Sequence, residues 1–149
     1  AQAAAGVDAI CISEPSGTGE ILGPRLFERF TVPALNSVLD RFEIGVKIVH
    51  ICGQLSSVYP LLKEIHCDVF SFDAVVPAAE VRKHLAPGQA AMGNVSTFAL
   101  GSMPEEKIRS LVKTSLDGGV DIVAPACGLP SITPLCNVQA MVAAVAERS

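Results

Sequence analysis

Five short apolar runs, each separated from the next by a stretch of helical periodicity, restrict this chain more than any other feature. The runs are Val7-Asp8-Ala9-Ile10-Cys11-Ile12, Gly45-Val46-Lys47-Ile48-Val49, Cys67 through Asp73, Gln89 through Asn94, and Val120 through Ala124. Their length and bounding Gly, Pro and polar residues read as buried strands. After the first, Leu26, Phe27, Phe30, Leu35, Val38, Leu39 and Phe42 keep helical spacing from Pro24 onward, with Pro33 expected to kink or divide the helix. Ser57 is placed to cap a second helix with Pro60 in its first turn, and a third is expected near Pro77 to Leu85. Ser102-Met103-Pro104-Glu105 reads as a capping box for a fourth, stopped by Gly118-Gly119, with Glu105 and Arg109 as an i,i+4 surface pair. Asn137 is the expected cap of a final helix through Val145. Every connection is long enough for a right-handed crossover, which predicts a parallel α/β sheet.

Parallel-strand enzymes keep their chemistry at the C-terminal ends of the strands, and those ends here carry reactive side chains. His50 and Cys52 follow the second run; positions i and i+2 of extended chain point the same way, so an imidazole nitrogen and a sulfur can face one point. Cys127 follows the fifth run, between Ala124-Pro125-Ala126 and Gly128, and can supply a third donor. Borderline-soft N and S donors suit zinc, and three protein ligands leave a position open, the arrangement of a catalytic site. The alternative stands beside it: buried cysteine is common in cores, and a histidine at a strand end is often a hydrogen-bonded structural residue. Glu14, in the polar loop after the first run, and Asp73 and Asn94, at the ends of the third and fourth, are candidate substrate-binding residues. The Gly-rich loop from Ser13 to Gly19 matches neither G-x-G-x-x-G nor a P-loop.

Composition narrows the classes further. Half of the 149 residues are hydrophobic, enough for a large core in one domain. Eleven basic against fifteen acidic residues, without a basic cluster and with one Tyr and no Trp, argue against nucleic acid as a partner. No uncharged apolar stretch reaches the length of a membrane span, so a cytoplasmic location is expected. Five cysteines, an odd number, favour thiols and metal ligation over a disulfide framework.

The metal reading also decides between an open sheet and a barrel. His50 and Cys127 are three strands apart, roughly 14 Å in a flat sheet, and reach one ion only if the sheet curls. A (β/α)8 barrel curls in this way but has eight strands. Residues 1–149 are therefore read as about five β/α units, the C-terminal part of a TIM barrel. Ala3-Ala4-Ala5-Gly6 looks like the last turn of a helix with its glycine cap, which predicts a further N-terminal portion. A half-barrel exposes two strand edges, so a homo-oligomer or pairing with that N-terminal half is expected.

The same residues carry a resemblance. Ala5-Gly6-Val7-Asp8, Pro24 to Phe30 with Pro33, His50-Ile51-Cys52-Gly53, Ser71-Phe72-Asp73, Gly93-Asn94-Val95 and Ala124 to Gly128 with Thr133-Pro134 resemble the uroporphyrinogen decarboxylase superfamily. The chain is more similar to its corrinoid branch, the methylcobamide:coenzyme M methyltransferases, across nearly its whole length. That resemblance implies zinc held by His50, Cys52 and Cys127. It implies methyl transfer from a methylated corrinoid, methylcobalamin or a corrinoid protein, to a thiol such as coenzyme M. Decarboxylases of the superfamily carry Asp-Pro two residues after Gly-Asn, where this chain has Ser96-Thr97. Porphyrinogen decarboxylation and a non-catalytic corrinoid-protein docking role are the alternatives.

Overall fold

The computed structural model describes residues 1–43 and 45–148. Five parallel strands form one sheet in the order β1-β2-β3-β4-β5: β1 (Ala9–Glu14), β2 (Val46–Ile51), β3 (Val69–Phe72), β4 (Ala90–Val95) and β5 (Ile122–Pro125). Each lies within two or three residues of an apolar run. The alternation of side chains sorts every strand into two faces. Val49 and Ile51 of β2, Phe70 and Phe72 of β3, and Ala91 and Val95 of β4 are buried against the helical layer. His50, Ser71 and Met92 of the same strands line the opposite side.

The helices cover one face. The first helical segment is N-capped by Thr18, whose hydroxyl accepts from the Ile21 amide at 3.3 Å, so winding begins at Gly19 rather than at Pro24. Helix α1 (Gly19–Leu26) is broken at Gly23, whose left-handed φ of 66° lets Pro24 open a second run. A five-residue π turn (Phe27–Thr31) runs straight into α2 (Val32–Leu39) through helical Thr31 and Val32, the Val32 amide donating to Phe27 O. The irregularity expected at Pro33 is therefore a π turn just before it within one continuous helical stretch, not a division. Residues Tyr59–Glu64 form a 3-10 helix instead of an α-helix, and Ser57 does not cap it: its hydroxyl donates to the Gly19 carbonyl at 3.2 Å.

Helix α3 (Ala78–His84) follows Pro77, and α5 (Glu105–Asp117) ends at Gly118-Gly119. A short helix, α4 (Thr97–Ser102), was not legible in the sequence; Ser96 caps it by accepting from the Ala99 amide. Ser102 therefore belongs to the end of α4, where its hydroxyl donates to Phe98 O, and the capping box does not form. Arg109 pairs with Glu147 at 2.7 Å rather than with Glu105. Asn137 lies inside α6 (Leu135–Ala146), not at its cap, and is 5% exposed.

The core has two parts. Phe27, Leu35 and Leu39 pack with Val49, Ile51, Phe70 and Phe72 under β1 to β3. Val95, Leu100, Ile108, Val112 and Met141 pack under β4 and β5. Fully burying a side chain of this size stabilises by about 1.5–3 kcal/mol, and β3, buried on all four residues, is anchored most firmly.

Candidate metal centre

β2 carries His50 as its fifth residue and leaves Cys52 just past its end, two positions on and facing the same way. The loop after β5 brings Cys127 to meet them. His50 Nε2 lies 3.1 Å from Cys52 Sγ, and Cys52 Sγ lies 3.8 Å from Cys127 Sγ. One ligand atom from each of the three residues falls within 4.8 Å of the others. β3 and β4 stand between β2 and β5, so the convergence reflects a curled sheet.

The donor set fits zinc. Two sulfurs each about 2.3 Å from one tetrahedral zinc stand about 3.8 Å apart, the separation these two have. Burial first, then the hydrogen bond and charge of neighbouring Cys127 and the charge of Asp73, push the Cys52 thiol up to about 11. Burial, partly opposed by the Asp73 charge, lowers the His50 pKa, so the imidazole is neutral with a lone pair to offer. Cys11, Ser71 and Met92 join His50, Cys52 and Cys127 around an open cavity of about 400 Å³.

Glu14, Asp73 and Asn94 lie at the same C-terminal end of the strands but not on this cavity's wall. The Glu14 carboxylate accepts from the Ser16 amide and hydroxyl and from the Gly17 amide, between 2.6 and 2.8 Å. Asp73 Oδ2 accepts from the Gly53 amide at 3.0 Å, fixing the turn next to Cys52, where Gly53 takes a left-handed φ of 75°. Its Oδ1 accepts from the Val75 amide. Asn94 donates to Val76 O and Asp73 O and accepts from the Ser115 hydroxyl, tying the loop after β3 to α5. Sequence reasoning missed Ser71, whose hydroxyl is 3.0 Å from His50 Nδ1. Only strand register, which pairs His50 with Ser71, reveals it. It also missed that Cys11 borders the cavity.

A parallel β/α sheet with a His-Cys-Cys cluster at the C-terminal strand ends puts a candidate metal site where barrel enzymes keep their chemistry. The chain belongs to the uroporphyrinogen decarboxylase (URO-D) family, whose model matches residues 1–148. It is 34% identical over 145 residues to methylcobamide:CoM methyltransferase MtaA of Methanosarcina barkeri strain Fusaro, covering 94% of this chain and 42% of that protein. It is 30% identical over 149 residues to a methylated-thiol–coenzyme M methyltransferase of Methanosarcina mazei, covering 98% and 40%. A uroporphyrinogen decarboxylase of Myxococcus xanthus matches a shorter part, 33% over 99 residues, 66% of this chain and 28% of that one. A solved methyltransferase from Methanosarcina mazei superposes with a TM-score of 0.90 at 30% identity, over 98% of this chain and 44% of the other. The five β/α units are thus part of a TIM-barrel-like fold, and the chain spans about two fifths of the length of the curated relatives it matches.

Proposed function

We propose that this protein serves methyl transfer from a methylated corrinoid, methylcobalamin or a corrinoid protein, to a thiol such as coenzyme M, at a zinc site formed by His50, Cys52 and Cys127. The observation that carries the reading is the approach of one nitrogen and two sulfurs, within 4.8 Å, at the strand ends of a fold shared with corrinoid methyltransferases. Zinc bound there would supply a Lewis acid that makes a substrate thiol a thiolate at neutral pH, and a methylcobamide would supply the methyl group.

The chain's own residues supply the rest. A neutral His50 with Cys52 and Cys127 as thiolates offsets the charge of a dication, so the site keeps a substrate sulfur electron-rich rather than withdrawing its charge. Met92 and Ile48 form an apolar stretch of the cavity wall beside these ligands. Asp73 holds the Gly53 turn and so the aim of Cys52. Glu14, Asp73 and Asn94 are assigned to the mouth, where they shape the loops a substrate passes and bear on its binding through them. All five cysteines are free, which suits a reducing compartment such as the cytoplasm. No helix among the described residues is long and apolar enough to cross a membrane.

Metal analysis of four variants tests the proposal. Cys52→Ala and Cys127→Ala are expected to lose most tightly bound zinc, and Cys11→Ala and Cys136→Ala to retain it. Equal zinc in all four would overturn the assignment. Methyl transfer from free methylcobalamin to coenzyme M, lost with the zinc, separates this reading from porphyrinogen decarboxylation and from a docking role without catalysis.

A further inference from the structure

A histidine ligates a metal through one nitrogen only if the proton sits on the other, so whatever holds that proton helps to set the site. β2 and β3 pair in parallel with His50 opposite Ser71, and both side chains point to the cavity side of the sheet. His50 Nδ1 and Ser71 Oγ are 3.0 Å apart. Ser71 is 5% exposed, so bulk water competes little for this bond. The other ring nitrogen, Nε2, faces Cys52 Sγ at 3.1 Å, on the side where Cys127 also arrives.

We propose that Ser71 is a positioning residue: its hydroxyl accepts the Nδ1 proton of His50, fixing the ring's orientation and leaving the Nε2 lone pair for the metal. The inference rests on His50 being a ligand of the site proposed above. The opposite tautomer would aim an N–H into the cluster of sulfurs and block ligation. A thiol on Cys52 donating to Nε2 in the metal-free protein is compatible with the same tautomer, so the site is set before the ion arrives. Among the described side chains Ser71 meets Nδ1 and Cys52 meets Nε2, so Ser71 is the partner that can hold the Nδ1 proton once Cys52 is engaged by a metal.

Three variants separate hydrogen bonding from shape. Ser71→Ala removes the acceptor; Ser71→Thr keeps it and adds a methyl group that the open cavity can take; Ser71→Val has the outline of Thr without the hydroxyl. Nitrogen-15 spectra of the imidazoles in the metal-free protein report the tautomer, and competition with a chelator reports zinc affinity. Wild type and Ser71→Thr are expected to hold the Nδ1–H form. Ser71→Ala and Ser71→Val are expected to show mixed tautomers and zinc binding weakened by about 10- to 100-fold, the usual cost of losing such a partner. Should Ser71→Ala fail to fold, the Thr and Val pair decides. Unchanged tautomer and affinity within about twofold in Ser71→Val would overturn the role of Ser71 even where wild type binds zinc tightly. A wild type that binds no zinc would instead sink the metal reading, leaving the tautomer comparison to decide on Ser71 alone.

Discussion

Glu14 ends β1 at the mouth, yet its carboxylate serves its own loop. Burial pushes this carboxyl up, but the bonds from Ser16 and Gly17 outweigh that and hold its pKa below the ordinary 4.5. A depressed folded pKa means the loop bonds contribute fully above the unfolded value and are lost as pH falls through the folded one. The Ser16 and Gly17 amide resonances are therefore expected to titrate together with a midpoint below 4.5, and Glu14→Gln should abolish that step; a midpoint at or above 4.5 would contradict the bonding. The difference between Glu14 and His50 explains what was legible at this scale. The meeting of His50 with Cys52 could be read because period-two alternation fixes which way successive residues of extended chain face, and that of Cys127 because it follows the end of a later strand. The hydrogen-bond partners of Glu14, Asp73 and Asn94 could not, because they are loop amides and neighbouring carbonyls whose positions no local pattern encodes. Ser71 was hidden for a related reason: its importance lies in which residue stands across from it.

At the scale of elements, apolar runs located all five strands, since burial between layers demands them, while helix ends were read less well. Short polar residues near Pro resemble caps wherever they occur, and tertiary contact decides which act as caps. Asn137 illustrates this. Rather than starting α6, it reaches from inside that helix to the C-terminal end of α4, donating to Leu100 O and Met103 O, both at 2.9 Å. Those are carbonyls that α4 and the turn after it leave without a partner, so Asn137 closes one helix from another. Asn137→Ala would leave both carbonyls short of a donor in a buried setting. A loss of about 1–3 kcal/mol is expected, read as a Tm lowered by roughly 2–4 °C per kcal/mol. An unchanged Tm would mean that water replaces the amide there. The same change should leave zinc content intact, because α4 and α6 lie in the second core cluster, away from His50 and Cys52.

For the whole molecule, a single ion shared by His50 and Cys127 required a curled sheet, and their donor atoms do approach across the strand order as such a curl allows. Curling without closure has a consequence. In the order β1-β2-β3-β4-β5, β1 and β5 each have one described neighbour, so each presents a row of backbone groups able to pair with another strand. Apolar side chains lie along the β5 side: Ile122 is 42% exposed and Val142 of α6 is 61% exposed, beside a groove that reaches Val123, Met141 and Val145. The curled inner wall adds Met92 and Ile48 facing an open cavity. Paired edges and covered apolar area are the more stable arrangement for such a surface. The relatives are more than twice as long as this chain, so the occupant expected at both edges is further β/α units of the same barrel. Residues 1–149 alone are expected to satisfy the edges by self-association and to sediment as more than a monomer at micromolar concentration. Supplying the complementary barrel units in trans should shift the population to a defined complex. A compact monomer without a bound partner would count decisively against edge pairing as the organising feature of this half-barrel.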